Sequence, residues 1–377
     1  MKILILSCNT GGGHNTAARA VREAAEAAGH ETVLEDYLAL TNRLTSDVIS
    51  NSYIGMARYS PHFFGMIYGA GMKLSSAKRY SPLYYLNIPF ARRLGTYLEQ
   101  NPFDAIVATH LFAMEAVTYL RNKGQALPLS VGVATDYTCQ PFWEDLDLDE
   151  IIIPHADLMS EYVGRGLDPK RLRPLGIPVS RRFSDEAASR DQARAELGLP
   201  GDKPVFLVMG GSMGSGHILT FTDHLRQAVP DGRVVVICGS NARLLDAMRE
   251  RFGNDPGVML IGFTDRVSDY MAACDVLYTK PGGLTSTEAL VRNVPLIHTA
   301  PIPGCETANS KFFEERGLSY AAPTIDQQIA YGCALASDAV RQRAMMANQA
   351  SNARPDAAER IIDLIRADLE ARAGGPA

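Results

Sequence analysis

The first 28 residues, MKILILSCNTGGGHNTAARAVREAAEAA, contain a short apolar run, a turn with three glycines and a helical pattern in direct succession. The continuous apolar run at residues 3–6 suits a parallel strand that is buried on both faces. Glycines let a backbone approach a ligand closely, and the start of a helix offers N–H groups that have no partner within the helix. The stretch therefore predicts the first strand–turn–helix unit of an α/β domain, with a ligand beside the turn.

The same alternation recurs along all 377 residues, a length that suits two domains. Strands are predicted at residues 3–6, 32–34, 105–108, 130–134, 151–153, 205–209, 234–238, 258–261, 276–278 and 295–298. Helices are predicted at residues 16–28, 219–229, 244–252 and 286–292. Because strands and helices alternate in both halves, we predict two Rossmann-like, doubly wound α/β domains that face each other across a cleft.

A turn-rich stretch near the middle of the chain, with GIP at residues 176–178 and GLPGDKP at residues 198–204, marks a domain boundary. We therefore assign residues 1–176 to an N-terminal domain and residues 177–354 to a C-terminal domain. Apolar residues at helical spacing predict a further helix at residues 355–372, which we expect to pack back on the first domain.

The composition argues against several classes of protein. Hydrophobic residues make up 46% and charged residues 21%, as in soluble globular proteins, and a net charge of −5 gives no reason to expect nucleic acid as a partner. No two of the six cysteines stand at CxxC spacing, so neither a zinc site nor a disulfide framework is indicated. The N-terminus lacks a signal-peptide pattern, and no apolar run reaches 18 residues. We expect a cytoplasmic protein, peripheral on the inner face of the cell membrane.

The first glycine turn allows three interpretations. A P-loop needs Gly-Lys-Ser/Thr, but His14, Asn15 and Thr16 follow the glycines here. A dinucleotide fingerprint needs a final glycine that this turn lacks. The third interpretation is that the turn presents His14 as a general base, because imidazole is matched to removing a hydroxyl proton near neutral pH. A histidine that only caps the helix or satisfies a hydrogen bond in the core remains the alternative.

The second half contains a stretch typical of a nucleotide site. The residues KPGGLTSTEAL at positions 280–290 combine glycines and small hydroxyl residues with a helix that is predicted to carry Glu288 in its first turn. Glycines and helix N–H groups form a nest for a diphosphate, and a carboxylate suits the paired hydroxyls of a ribose. Glu306 and Asn309, three residues apart at a predicted helix start, are suited to sugar hydroxyls, although an ordinary capped helix has similar patterns.

Residues 48–98 form a basic aromatic segment, with six arginines and lysines, ten aromatic residues and no acidic residue. Basic residues near an anionic leaflet contribute about 1 kcal/mol each, and aromatic rings favour the headgroup layer. The segment therefore indicates reversible docking on an anionic membrane surface. A helical insertion whose aromatic residues form a core is the alternative. The segment's residues that we assign to the acceptor or the membrane are Arg58, Phe63, Phe64, Tyr68, Lys73, Lys78 and Arg79.

Taken together, the chain resembles the diacylglycerol glycosyltransferases, the family of plant monogalactosyldiacylglycerol synthases and bacterial processive diacylglycerol glucosyltransferases. It is more distantly similar to the peptidoglycan-precursor N-acetylglucosaminyltransferase. The motifs that carry the resemblance lie at residues 11–14, 135–137, 143, 176–179, 210–214, 262–263, 271, 275, 280–290, 306 and 309.

The resemblance implies a GT-B fold and an inverting glycosyltransferase that needs no metal ion. It also implies that the donor substrate is a UDP-sugar and that no cofactor is needed. The second domain would hold the donor, and the first would bring a membrane lipid acceptor, expected to be diacylglycerol. Glucose, galactose and N-acetylglucosamine are all open as the sugar.

The resemblance also implies roles for single residues. It places Glu288 on the uridine ribose, Phe263 beside the uracil, and Glu306 with Asn309 on the donor sugar. His14 and Asp136 are the candidates for the catalytic base. The other residues implied to hold the nucleotide sugar are Gly211, Ser212, Gly282, Gly283, Leu284, Thr285 and Ser286. Trp143 is implied to contact the acceptor or the membrane.

Two positions depart from the pattern of the family. Gln140 stands where much of the family has a histidine, and Ser180 stands where relatives often have an arginine. Arg181 and Arg182 follow directly, so an arginine that contacts phosphate is either shifted or missing. Two other functions stay open on this architecture, a UDP-sugar epimerase and a non-catalytic nucleotide-sugar sensor that docks on membranes.

Overall fold

The computed structural model describes residues 1–9, 12–40, 66, 69, 71, 80–184, 188–211 and 217–374. The chain divides into two compact units. The first comprises Met1–Ser180, Pro303–Cys305 and Arg354–Ala377, and the second comprises Arg181–Ile302 and Glu306–Ala353. Each unit is built on a six-stranded sheet, and the paired strands of both sheets are parallel.

The sheet of the first unit has the order β2-β1-β3-β4-β5-β6. Its strands are β1 (Lys2–Ser7), β2 (Glu31–Asp36), β3 (Ala105–Ala108), β4 (Leu129–Val133), β5 (Glu150–Ile152) and β6 (Leu172–Arg173). Its helices are α1 (Gly12–Ala27), α2 (Pro82–Gln100), α3 (Leu111–Asn122), α4 (Met159–Gly164) and the last helix of the chain, α13 (Ala357–Gly374). Strand β1 is central and apolar, and its Leu4 lies between Val33 of β2 and Ile106 of β3.

The last helix, α13, completes the core of the first unit by packing on α1. Its residues Ala358, Ile361, Ile362 and Ile365 are at most 3% exposed, and their spacing of three and four places them on one face of the helix. The approach to α13 is tight, because a Cβ atom on Gly176 would lie 2.7 Å from the Cβ atom of Arg354.

The sheet of the second unit has the order β12-β11-β10-β7-β8-β9. Its strands are β7 (Val205–Met209), β8 (Arg233–Ile237), β9 (Val258–Ile261), β10 (Val276–Thr279), β11 (Leu296–His298) and β12 (Tyr320–Ala321). Its helices are α5 (Arg190–Leu197), α6 (Ile218–Ala228), α7 (Ala242–Phe252), α8 (Val267–Ala273), α9 (Gly283–Arg292), α10 (Cys305–Glu315), α11 (Ile325–Ser337) and α12 (Ala339–Asn352). Tyr278 and Phe206 lie at the centre of its core.

All ten predicted strands are present, with ends that differ by at most two residues. The two strands that the sequence did not predict, β6 and β12, contain two residues each and lie at the edges of their sheets. None of the helices in the described part of the chain is long and apolar enough to cross a bilayer.

Candidate active site

His14 is the third residue of α1, directly after the first glycine turn. Its Nδ1 lies 2.7 Å from the carbonyl oxygen of Thr109, which follows β3, and 3.1 Å from the hydroxyl oxygen of Thr135. A carbonyl oxygen can only accept a hydrogen bond, so Nδ1 carries the proton and the neutral ring keeps its lone pair on Nε2. Within the described residues Nε2 has no hydrogen-bond partner. The ring is therefore held in a tautomer that suits a general base.

The environment of His14 favours the neutral imidazole. Burial lowers the pKa of His14, and its hydrogen bond to the Thr109 carbonyl partly opposes that effect. The ring of His110 stands edge to face with that of His14, with ring centres 4.6 Å apart. Burial, and then the neighbouring His14, lower the pKa of His110 well below its usual value. Both rings are therefore neutral at neutral pH, and His14 is free to take a proton.

The second candidate base, Asp136, follows directly on the Thr135 that contacts His14. Gln140 donates a hydrogen bond of 2.5 Å from its Nε2 to Oδ2 of Asp136, which is partly exposed. The glutamine that replaces a histidine of the family pattern therefore contacts a candidate base. His14, which follows β1, thus contacts Thr109 and Thr135, which follow β3 and β4, and Asp136 is the next residue after Thr135.

Trp143 lies in the core of the first unit and not on its surface. The side chain is 4% exposed, and its ring stands edge to face with Tyr162 at 5.8 Å between ring centres. Its Nε1 is buried and has no hydrogen-bond partner among the described residues. The implied membrane contact of Trp143 needs correction, because a buried indole ring cannot enter a lipid headgroup layer.

In the second unit, the residues after β10 converge with the first turn of α10. Asn309 donates from its Nδ2 to the carbonyl oxygen of Pro281 at 2.9 Å, and Gly282 lies close to the Glu306 carboxylate. Glu306 forms an ion pair with Lys280 and accepts a hydrogen bond of 2.9 Å from the backbone N–H of Ile302. The structure therefore brings the implied sugar-binding pair to the glycine turn.

Helix α9 begins at Gly283, three residues earlier than predicted, because Gly282 takes the extended N-cap conformation. Glu288 consequently lies in the second turn and not in the first, which corrects the prediction. It is 7% exposed. The first backbone N–H groups of α9 have no partners within the helix, so they are available to an anion at this end.

The hydroxyl residues of α9 face different surroundings. The Ser286 hydroxyl lies 3.0 Å from Nε2 of His298, and its backbone N–H bonds to the carbonyl of Gly282. Both polar groups of Ser286 are therefore used inside the unit. Thr285 is partly exposed, whereas Leu284 is 6% exposed.

The other glycine turn of the second unit follows β7. Gly211 has a φ of +69°, and a Cβ atom there would lie 2.9 Å from Cε of Lys280. A cavity of about 630 Å³ opens at this end of the sheet. Its wall includes Met209 and Thr299, and Lys280 is the single lysine or arginine among the described residues that line it. Sequence reasoning missed Lys280 as a site residue, although it begins the KPGGLTSTEAL stretch.

Phe263 and the two candidate arginines lie at the surface of the second unit. Phe263 follows the edge strand β9 and is 79% exposed. Arg181 and Arg182 are exposed in a single 3₁₀ turn, Arg181–Phe183, that packs against α9. In the described part of the chain, no three His, Cys, Asp or Glu side chains are gathered as a metal ion would need.

Several predicted site residues fall outside the described residues. These are Ser212 and the members of the basic aromatic segment Arg58, Phe63, Phe64, Tyr68, Lys73, Lys78 and Arg79. The described end of that segment shows exposed apolar side chains, with Tyr80 43%, Tyr85 60% and Leu86 72% exposed.

Two family models match the chain, one in each half. Residues 14–179 match the model described as monogalactosyldiacylglycerol (MGDG) synthase. Residues 189–353 match the model described as glycosyl transferases group 1. The two matches follow each other along the chain with a gap of a few residues.

The chain is 27% identical over 323 residues to the processive diacylglycerol beta-glucosyltransferase of Bacillus licheniformis, covering 84% of this chain and 82% of that protein. It is 27% identical over 385 residues to the chloroplastic monogalactosyldiacylglycerol synthase of Spinacia oleracea, covering 96% of this chain and 71% of that protein. The crystal structure of MurG from Acinetobacter baumannii is 15% identical, with a TM-score of 0.63 over 97% of this chain and 99% of that one.

The predicted resemblance and the predicted GT-B fold, with two Rossmann-like domains, are both confirmed. The family matches also favour a glycosyltransferase over an epimerase and over a non-catalytic sensor. The chain is therefore a glycosyltransferase, and its two halves match the models of monogalactosyldiacylglycerol synthases and of group 1 glycosyl transferases, in that order.

Proposed function

We propose that the protein transfers a hexose from a UDP-sugar to a membrane lipid, diacylglycerol, with inversion at the anomeric carbon and without a metal ion. The names of its relatives support the lipid, since similarity to a diacylglycerol glucosyltransferase extends over most of both chains. The first unit supplies the base for the acceptor hydroxyl, and the second holds the donor.

The observation that carries this proposal is the neutral, oriented imidazole of His14. The acceptor hydroxyl attacks the anomeric carbon, and its proton passes to Nε2 of His14. The Thr109 carbonyl accepts a hydrogen bond from the Nδ1–H group, so it orients the ring and stabilises the imidazolium that forms. Asp136, held by Gln140, is the alternative base.

The donor site is supported by the convergence of the glycine turn with Glu306 and Asn309 in the second unit. The free N–H groups at the start of α9 suit the diphosphate, and the buried Glu288 suits the ribose diol. Backbone donors and the helix N-terminus can stabilise a departing diphosphate in place of a metal ion.

Attachment to an anionic membrane is supported by the described end of the basic aromatic segment. Tyr85 and Leu86 are exposed on α2, the helix that also exposes Arg92 and Arg93. Replacing Tyr85 and Leu86 together by serine should weaken sedimentation with anionic liposomes, and salt should weaken it further. Sedimentation that is indifferent to both lipid charge and salt would remove this part of the proposal.

The proposed reaction is tested by incubating the protein with labelled UDP-glucose, UDP-galactose or UDP-N-acetylglucosamine and diacylglycerol vesicles. Thin-layer chromatography should show a labelled glycolipid, and the NMR coupling of its anomeric proton should report inversion. Activity should persist with EDTA. A changed UDP-sugar in the absence of lipid would indicate an epimerase, and UDP binding without any product would contradict the proposed transfer.

A further inference from the structure

Two consecutive residues after β3, Thr109 and His110, contact the candidate base. The Thr109 carbonyl oxygen lies 2.7 Å from Nδ1 of His14, and the Thr109 hydroxyl donates to the backbone carbonyl oxygen of His14 at 3.1 Å. The ring of His110 stands edge to face with the ring of His14. A hydrogen bond at Nδ1 holds one atom of the imidazole, but its broad angular range lets the ring tilt. The orientation of the ring plane therefore depends on the second contact, the one with His110.

His110 is itself held in place by the start of α3. Its Nδ1 accepts a hydrogen bond of 3.2 Å from the backbone N–H of Phe112, so the side chain caps the helix. Its ring also packs on the ring of Phe112, with 4.9 Å between ring centres, and the residue is 8% exposed. A side chain that is fixed by both a cap and a ring contact can in turn fix the ring that packs on it.

The two imidazoles carry their protons on different nitrogens. A backbone N–H can only donate, so Nδ1 of His110 keeps its lone pair and the proton of the neutral ring is on Nε2. In His14 the proton is on Nδ1 and the lone pair is on Nε2. Protonation of His110 would have to occur at Nδ1, where it would break the cap. Burial also lowers the pKa of His110 well below its usual value, so His14 is the member of the pair that takes a proton.

We propose that His110 is a positioning residue for the general base, whose ring fixes the plane of the His14 imidazole so that Nε2 is directed at the acceptor hydroxyl. The inference rests on the proposed function. In that reaction the acceptor O–H bond breaks, its proton passes to Nε2 of His14, and the acceptor oxygen bonds to the anomeric carbon. The diphosphate leaves with the electron pair of its bond to the sugar. His110 exchanges no proton, but a misplacement of about 1 Å can cost about 10²-fold in rate.

The same kind of cap occurs a second time in the first unit, which provides a matched control. Nδ1 of His155 accepts a hydrogen bond of 3.2 Å from the backbone N–H of Asp157, at the start of the 3₁₀ turn Ala156–Leu158 after β5. Capping and ring packing can also be separated by substitution. Asparagine places an acceptor oxygen at the position of Nδ1 but has no ring, whereas phenylalanine has a ring but no acceptor.

The test compares the two substitutions of His110 in glycosyl transfer and in thermal unfolding. His110→Asn should lower kcat about ten- to hundredfold, with the KM for the UDP-sugar within twofold and the melting temperature little changed. His110→Phe should lower the melting temperature, because the cap is lost, and should keep kcat within about threefold. His155→Asn should change kcat less than twofold. If kcat instead falls only in the variant whose melting temperature falls, His110 has a structural role and the inference is wrong.

A second pair of measurements tests whether His110 acts through His14. Added to His14→Ala, the change His110→Asn should lower kcat no further, because the base that it positions is already absent. A further tenfold loss would overturn the inference.

Nitrogen NMR of the histidine-labelled protein should show His14 protonated at Nδ1 in the unaltered protein and in His110→Phe. In His110→Asn, the signals should move towards the average of the two tautomers. Signals of His14 that are unchanged in His110→Asn would show that the ring is held without His110. These signals require no substrate, so absence of transfer by the unaltered protein would contradict the proposed function and not the contact.

Discussion

The two units share a local strand–turn–helix architecture, but the side chains beside the two turns differ in charge. In each, a buried parallel strand leads into a glycine turn and then a helix, as β1 leads into α1 and β10 into α9. At the first turn stands a neutral histidine whose Nδ1 is held by a carbonyl. At the second stand an ammonium group and a carboxylate. The repeated backbone supplies a helix start in both units, and the proposed roles, with a proton in the first unit and an anion in the second, differ because the side chains beside it differ.

The largest expected effect comes from removing the imidazole of the first unit. His14→Ala should lower kcat about 10²- to 10⁴-fold, because general base catalysis is lost, and should leave UDP binding unchanged. His224→Ala is the matched control, since that histidine is exposed in the second unit. A residual rate that disappears only when Asp136→Asn is added would give part of the role to Asp136. Full activity of the double variant would contradict both assignments.

The role of the second unit in nucleotide binding is tested by changing its buried Glu288. Glu288→Gln should weaken UDP binding about tenfold, because the amide replaces a charged acceptor of the ribose hydroxyls. Calorimetry with UDP and with 2′,3′-dideoxy-UDP tests whether Glu288 contacts the ribose hydroxyls. The unaltered protein should prefer UDP, and the variant should lose that preference. An equal loss for both ligands would show that Glu288 acts on the fold and not on the ribose.

The pH dependence of activity tests whether His14 is the base. Because burial lowers the pKa of His14, the base stays unprotonated at pH 6.5 and above. The value of kcat/KM should therefore be level there and should fall about tenfold per pH unit below the lowered pKa. An acid limb with its midpoint above pH 6.5 would contradict a buried imidazole as the base. The same limb in His14→Gln would assign the titration to another group.

The smallest expected effect concerns Ser286, whose hydroxyl contacts His298 in the core. Ser286→Ala should cost about 1 kcal/mol of unfolding free energy, the usual value of a lost hydrogen bond. UDP affinity should change less than threefold, because neither polar group of Ser286 is directed to a ligand here. Denaturant unfolding and calorimetry give the two values. A large loss of UDP affinity without loss of stability would restore the nucleotide-sugar contact that the resemblance implies for Ser286.

The fold was predictable because long apolar runs mark buried strands. Every strand of three residues or more was predicted from such a run, from β1 to β11. The strands β6 and β12 were not, since Leu172–Arg173 and Tyr320–Ala321 are too short to show a pattern and are defined only by their neighbours in the sheet. The start of α9 was missed by three residues because glycine is a poor helix former and reads as a turn.

The sequence predicted where the candidate site lies, but it did not predict which contacts its side chains make. Glycines that follow a strand predicted both turns, because they let the backbone approach a ligand closely. The direction of a hydroxyl depends on the tertiary neighbour, as with Ser286 and His298, twelve positions apart. The pairing of Lys280 with Glu306 joins residues 26 positions apart, and no local pattern connects them. The resemblance implied that Trp143 contacts the acceptor or the membrane, but its burial, which includes a ring contact with Tyr162, depends on tertiary packing that the motif does not show.

The position of α13 has a consequence for how the protein is made. The helix that packs on α1 follows the whole second unit in the sequence, so it is synthesised only after that unit. Until then the nascent first unit lacks part of its core, although its sheet has long been synthesised. Premature termination near position 354 would therefore damage the half of the protein that was translated first.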